Sequence, residues 1–237
     1  MDYRACFRRH ELKYLLDAAQ YGAVREAMEG RMRPDEYGKN RICNLYFDTP
    51  DFRVIRRSLE KPIYKEKLRL RSYGVATAES RVFAELKKKY RSVVYKRRVT
   101  MTRDGAEAFL RDPRPIGQIE REIAYCLSVY PSVAPAVWLS YAREAFFGAD
   151  DPELRVTFDT DVLARWEELS LGGGIYGDPV LPRDRILMEV KVSDAVPLWL
   201  ARCFSACGIR QTSFSKYGTA YLQRAEDQKH FGGQTYA

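Results

Sequence analysis

Only two of the 237 residues are histidine, His10 and His230. That excludes a histidine-built metal centre and leaves no convincing Ser-His-Asp set. The five cysteines (Cys6, Cys43, Cys126, Cys203, Cys207) are odd in number and contain no C-x-x-C pair. Their pattern argues against structural zinc and for a reducing compartment. Cys203 and Cys207, one helical turn apart, read as small buried hydrophobes. No apolar run approaches the roughly 18 residues that a membrane-spanning helix needs. The opening M-D-Y-R-A-C-F-R-R-H has no apolar signal core, so the expectation is a cytoplasmic chain without direct membrane insertion. Neither G-x-x-x-x-G-K-[ST] nor G-x-G-x-x-G occurs, which removes the common glycine-rich phosphate loops. There is no internal repeat and no low-complexity segment. The one soft stretch, L-G-G-G-I-Y-G-D-P at 171–179, reads as a loop between strands. A single domain over 1–237 is therefore expected.

What is present favours strands and an anionic partner. Hydrophobic residues make up 46% of the chain, with 16 tyrosines and 11 phenylalanines, a composition that suits pleated sheet. The net charge is +8, which suits nucleic acid, a membrane surface or phosphorylated small molecules. Alternation predicts strands over 7–16, 42–47, 64–73, 82–90, 92–101, 137–147, 154–163 and 185–192. Helices are predicted from Asp17, which caps with Gln20 as its capping-box partner, to Met28. Further helices are predicted over 103–111, 118–129, 197–207 and 215–224. A brief one is predicted from Asp48-Thr49-Pro50, with Pro50 in its first turn. Strands in hairpin-like succession, interrupted by helices, predict the α+β class: an antiparallel β-barrel of about eight strands, a tunnel with flanking helices.

The phase of the charges carries the functional argument. Lys67, Arg69 and Arg71 fall at every second residue, as do Glu85, Lys87 and Lys89, and Lys96 and Arg98. Alternate strand residues share a face, so three strands each aim a row of cations at one surface. The pattern recurs with Arg9, Glu11 and Lys13, with Tyr141 and Arg143, with Arg155 and Asp159, and with Glu189 and Lys191. The opposite faces are apolar (Leu68 and Leu70, Ala84 and Leu86, Val156 and Phe158, Met188 and Val190). The plain interpretation is a solvated outer face. Two points oppose it: the amphipathic helices need an apolar face to cover, and a solvated face mixes charge signs so that cross-strand neighbours attract. Like charges held side by side are relieved by an anionic ligand.

Glu11, Glu85, Asp159 and Glu189 are the minority carboxylates on these faces. Oxygen ligands without thiol or imidazole suit Mg²⁺ or Mn²⁺, and Glu189 and Glu85 are the expected metal ligands. The competing role for each is an internal salt bridge. In F-S-K-Y, Ser215 caps a helix and Lys216 lies in its first turn, a suitable end-stop for phosphate. Plain capping with a solvated lysine is the alternative.

Nine stretches in order resemble the VTC domain, the catalytic module of vacuolar-transporter-chaperone-type polyphosphate polymerases in the triphosphate tunnel superfamily. They are R-H-E-L-K-Y (9–14), N-L-Y-F-D-T-P-D (44–51), K-L-R-L-R-S-Y-G (67–74), F-A-E-L-K-K-K-Y (83–90), V-V-Y-K-R-R-V (93–99), Y-A-R-E-A-F (141–146), L-R-V-T-F-D-T-D-V (154–162), L-M-E-V-K (187–191) and F-S-K-Y (214–217). The resemblance implies binding of ATP and polyphosphate with a divalent metal, and transfer of the γ-phosphoryl group to a growing chain. It implies that Lys13, Arg69, Arg71, Lys87, Lys96, Arg143, Arg155 and Lys216 grip phosphates, that Tyr141 and Ser215 add hydrogen bonds, and that Glu189 holds the metal. Glu11, Lys67, Lys89, Arg98 and Lys191 complete the expected substrate-binding set by their phase.

Two positions depart from the pattern. Sister tunnel enzymes open with E-x-E-x-K, whereas Arg9 here makes R-x-E-x-K, which favours the polymerase branch. Ser213 stands where relatives carry a further basic residue before F-S-K. Membrane coupling would run through a separate membrane protein. Competing functions are a triphosphate or polyphosphate hydrolase and a non-catalytic polyphosphate-binding module. Nucleic acid is not an expected partner, since no RNP, KH or helix-turn-helix signature appears.

Overall fold

The computed structural model describes residues 10–91, 93–130 and 132–232. Arg9, and with it the R-x-E-x-K argument, lies outside the described residues, as do residues 7–8 of the first expected strand. The chain runs β1 (His10–Leu16), α1 (Ala18–Met28), β2 (Met32–Asp48), α2 (Arg53–Leu59), β3 (Tyr64–Tyr73), β4 (Arg81–Tyr90), β5 (Val93–Thr102), α3 (Arg103–Arg111) and α4 (Gln118–Val129). It continues with β6 (Ala134–Gly148), β7 (Arg155–Arg165), β8 (Asp178–Pro179), β9 (Ile186–Val192), α5 (Leu198–Ala206), β10 (Gln211–Thr212) and α6 (Lys216–Gly232).

The α+β class holds, but the closed barrel does not. Among the described residues ten strands, rather than about eight, form one sheet in the order β10-β1-β9-β7-β6-β2-β3-β4-β5, with β8 on β7. The two outer strands, β10 and β5, are not paired with each other, so the sheet stays open. The ladders β1–β9, β2–β3, β3–β4, β4–β5 and β7–β9 are antiparallel.

Contacts divide the chain into two compact units. The first comprises the described residues up to Arg41 with Tyr141–Val162 and Leu181–Phe214, and the second comprises Ile42–Ser140, Leu163–Val180 and the chain from Ser215.

In the second unit the apolar faces of β2–β4 (Leu45, Leu68, Leu70, Ala84, Leu86) pack with Ala106 and Phe109 of α3 and Ile123 and Cys126 of α4. Leu70 and Leu86 are fully buried, and each such leucine contributes about 2 kcal/mol of transfer free energy. In the first unit Tyr14, Val156, Phe158, Met188 and Val190 pack with Val24 and Met28 of α1 and Leu200 and Phe204 of α5. In both units, then, helices take the apolar side of the strands and the cation rows keep the other side; Glu66, Lys88 and Arg97 lie on the helix side, where Lys88 and Arg97 pair with Glu122 of α4. The alternation of each strand leaves no third option.

Local signals set most boundaries. Asp17 accepts from the Gln20 amide at 2.8 Å and the Gln20 side chain accepts from the Asp17 amide at 3.1 Å, closing the expected capping box. The α2 expectation needs correction, because the helix begins at Arg53 and not at Pro50. Thr49–Phe52 forms a turn closed by Phe52 N–H to the Thr49 carbonyl at 2.8 Å, and Phe52 takes φ +56°. The expected loop at 171–179 holds up to Gly177, but Asp178–Pro179 form β8 against Leu163 and Ala164 of β7. The Arg165 guanidinium donates to the carbonyls of Glu167, Glu168, Ser170, Gly174 and Tyr176, and it lies 4.2 Å from the Trp138 ring centroid.

Candidate functional site

In the second unit the ladders place the cations side by side. Lys67 stands opposite Lys87, and Lys87 opposite Lys96. In the next row Tyr46, Arg69, Glu85 and Arg98 lie across four strands, and beyond them Asn44 pairs with Arg71. Lys65 and Lys89 form the row on the other side. The face of β3–β5 thus carries Lys65, Lys67, Arg69, Arg71, Lys87, Lys89, Lys96 and Arg98 against a single carboxylate, Glu85. Two like charges about 5 Å apart at an effective dielectric of about 20 repel by about 3 kcal/mol. One carboxylate cannot cancel that sum, and an anion on this face would.

Glu85 is 1% exposed. Its Oε2 accepts from Arg69 Nε at 2.8 Å and lies 2.7 Å from Arg69 Nη2 and 3.7 Å from Arg71 Nε. Its Oε1 lies 2.8 Å from Lys96 Nζ and 3.1 Å from Arg98 Nε. Arg98 Nε has no hydrogen-bond geometry to a partner, so its pairing with Glu85 is one of charge, whereas Lys96 adds a hydrogen bond to its charge. Burial alone would raise the Glu85 carboxyl, but Arg69, Arg71 and Lys96 outweigh it and hold the group well below the usual carboxylate range. Lys96 is pushed down to about 8, by burial first and by Arg71 and Arg98, with Glu85 opposing.

Two neighbours escaped the sequence reading. Tyr46 accepts from Arg69 Nη1 at 2.8 Å. Burial raises its hydroxyl pKa, but Arg69, Arg71 and Lys216 bring it below the usual tyrosine value. Asn44 Oδ1 accepts from Arg71 Nε at 3.0 Å. Both lie on the face that alternates with Leu45 and Phe47 in N-L-Y-F-D, and that phase was the available signal.

Ser215 does two things at the start of α6. Its Oγ accepts from the Gly218 amide at 3.2 Å, as a cap, and from Lys67 Nζ at 3.2 Å. Tyr217 donates to Asp48 Oδ2 at 2.8 Å, and Asp48 also accepts from the amides of Thr49, Val54 and Ile55. Burial and the Asp48 charge push the Tyr217 hydroxyl well above its usual value, so it stays a donor. One buried carboxylate thereby anchors the first turn of α2 and the turn of α6 that carries Lys216. Sequence reading took Asp48 only as the start of a helix.

The first unit gathers a second set with mixed signs. Glu11 stands opposite Lys191 and Lys13 opposite Glu189, while Arg155 and Thr157 stand opposite Lys191 and Glu189 from the other side. Lys13 lies 3.4 Å from Glu11 and donates to the Phe214 carbonyl at 2.9 Å. Lys191 lies 2.9 Å from Glu189, and Arg155 3.9 Å from Asp35. Arg143 grips the buried Asp159 through both oxygens, at 2.6 and 2.7 Å, and lies over the Tyr141 ring. Desolvation would lower the Arg143 pKa, but Asp159 raises it above the ordinary value, so its charge is permanent.

Among the described residues no three His, Cys, Asp or Glu side chains form a group able to enclose a metal ion. The two carboxylates expected as ligands differ in fit. Glu189 is a buried oxygen donor on a strand face with Glu11 one strand away, and the Thr157 hydroxyl, its register partner, is buried without a hydrogen-bond partner. That chemistry fits a hard cation completing its shell with water and phosphate oxygens. Glu85 does not fit, since both of its oxygens already face cations.

The profile of the VTC domain matches residues 8–224. A candidate adenylate cyclase of Bacillus halodurans superposes with a TM-score of 0.54 at 16% identity, covering 88% of this chain and 95% of that one. A candidate adenylate cyclase of Vibrio parahaemolyticus has a TM-score of 0.47 at 12% identity, covering 92% and 99%. No curated protein matches. At these identities the Bacillus likeness shows the fold alone. No helix among the described residues is long and apolar enough to cross a membrane.

Proposed function

The chain belongs to the VTC-domain family, and from that premise we propose that it is a metal-dependent polyphosphate polymerase. In this reading it transfers the γ-phosphoryl group of ATP to a growing polyphosphate chain. The observation that carries the reading is the face of β3–β5, where eight cations in register share the face with one buried carboxylate while α3 and α4 occupy the reverse side. A polyphosphate carries about one negative charge per phosphate, and rows of Lys and Arg one strand spacing apart suit such a ligand.

The chemistry asks little of the side chains beyond placement and charge. The terminal phosphate oxygen of the acceptor is already anionic, so no strong general base is needed. Arg69 and Arg71, held by Glu85, Tyr46 and Asn44, present guanidinium groups at fixed angles. Lys67, Lys87 and Lys96 supply point charges along the chain. Ser215 and Lys216 at the N-terminus of α6 offer a donor, a cation and a helix end to one phosphate. Arg143, Arg155 and Lys13 are assigned phosphate contacts, and Tyr141 a hydrogen bond, by the family pattern. A divalent cation held by Glu189 would offset charge developing on the bridging oxygen of the leaving diphosphate.

Incubation with ATP and Mn²⁺, followed by gel separation and a free-phosphate assay, tests the reading. A ladder of long chains supports it. Phosphate without chains makes the protein a hydrolase, and tight polyphosphate binding without turnover makes it a binding module.

Binding should also be linked to protons. Burial first holds the Lys96 ammonium down, to about 8, and an anion beside it raises that value. Polyphosphate binding near pH 8 is therefore expected to take up protons, and affinity should weaken as pH rises above 8. Calorimetry in two buffers of different ionisation enthalpy reads the uptake directly. It should vanish in Lys96→Arg, whose guanidinium stays charged; equal uptake in that variant would remove Lys96 as its source.

A further inference from the structure

We infer that Glu85 is not a metal ligand but the counter-ion that positions Arg69, Arg71, Lys96 and Arg98 for anion binding. The inference deepens the functional reading above and rests on it for the identity of the anion. The geometry separates two jobs. Oε2 accepts a directed bond from Arg69 Nε at 2.8 Å, and Tyr46 takes Nη1 of the same guanidinium at 2.8 Å, so Arg69 is fixed at two points. Oε1 holds Lys96 at 2.8 Å, a contact in which the hydrogen bond and the charge act together, and Arg98 at 3.1 Å without hydrogen-bond geometry at Nε. Arg98 can therefore turn toward a phosphate without breaking a directed bond at Nε, while Arg69 stays in place.

A divalent metal on Glu85 would have to displace two cations and then sit among Arg69, Arg71, Lys96 and Arg98. A buried carboxylate with four cationic neighbours has no local field that favours another positive charge. The same carboxylate makes the face possible before ligand arrives. It stands at the centre of the lattice, opposite Arg69 on β3 and Arg98 on β5, where repulsion among the cations is greatest. The charged and titratable groups facing the Glu85–Lys96 pair are Tyr46 from β2, Lys67, Arg69 and Arg71 from β3, Lys87 from β4, Arg98 from β5 and Lys216 from α6, whose charge acts on Tyr46. Only Glu85 among them favours the protonated form of Lys96.

The test reads Lys96 directly, by the pH dependence of its acetylation followed by mass spectrometry in chelator, together with Mn²⁺ binding by electron paramagnetic resonance. In Glu85→Gln the Lys96 midpoint is expected to fall by about one pH unit or more, with recovery toward the wild-type value in Glu85→Asp. Mn²⁺ affinity should be unchanged in Glu85→Gln and reduced at least about tenfold in Glu189→Gln. In the wild type, Mn²⁺ should leave the Lys96 midpoint where it is, a measurement that holds even if Glu85→Gln fails to fold. An unmoved midpoint in Glu85→Gln, a tenfold loss of Mn²⁺ affinity in that variant, or a Mn²⁺-induced fall of the Lys96 midpoint in the wild type would each overturn the inference. None of these readouts requires turnover, so a chain that makes no polyphosphate defeats the functional reading and leaves the role of Glu85 separately decided.

Discussion

Replacing Arg69 and Arg71 together by alanine is expected to weaken polyphosphate binding by about 10²–10⁴-fold. Each guanidinium supplies charge-assisted hydrogen bonds worth about 1.5–3 kcal/mol to a phosphate, and 1.4 kcal/mol is tenfold in affinity. Both are pre-oriented, Arg69 by Glu85 and Tyr46 and Arg71 by Asn44, so little side-chain entropy is lost on binding. The pair of lysine substitutions keeps the charge but loses the fork, and should recover only part of the affinity. Anisotropy with labelled polyphosphate at fixed ionic strength measures both. The slope of log affinity against log salt should shrink by about one for each cation removed. Because Arg71 is buried, melting curves for each variant separate lost binding from lost fold. Unchanged affinity in a folded double alanine variant would mean that this face does not bind the anion.

Glu189→Gln is expected to lower turnover by about 100-fold or more while leaving polyphosphate affinity equal or slightly stronger. The substitution preserves shape and removes one negative charge, so ground-state binding of an anion has nothing to lose. The loss falls on the charge stabilisation assigned to the metal-holding carboxylate. Lys191, 2.9 Å from Glu189, keeps Glu11 as its register partner, which limits the structural disturbance. A quenched-flow or gel assay with ATP and Mn²⁺, paired with the anisotropy measurement, separates the two effects. Wild-type turnover in Glu189→Gln would sink the metal assignment.

Much of this protein was legible from local pattern, and the exceptions are instructive. The alternation of Lys67, Arg69 and Arg71 with Leu68 and Leu70 assigned each residue to a face, and the cores under α3 and α4 and under α1 and α5 follow from it. The Asp17–Gln20 capping box was readable for the same reason, since it is complete within four residues. By contrast, β2 runs from Met32 to Asp48, ten residues earlier than alternation indicated. Its first half, M-R-P-D-E-Y-G-K-N-R, is mainly exposed and polar on both sides, so it has no apolar period to detect. Pairing with β6 makes it a strand. The two-residue strands β8 and β10 are likewise too short to carry a pattern. Asp48 was read as a helix start because its distant bonds, to Val54, Ile55 and Tyr217, exist only once those segments have packed.

The charge lattice divides in the same way. Sequence alone determined that the chain would present rows of cations on strand faces, because a period of two is a property of one strand. The tertiary structure decided which cations stand beside which, and that the lone carboxylate lies between Arg69 and Arg98 and not beside a second carboxylate. Register is set by hairpin geometry and core packing between strands distant in sequence. For that reason Glu85, which sequence offered as a metal ligand, is proposed above as a counter-ion, and an expected closed barrel emerges as an open sheet.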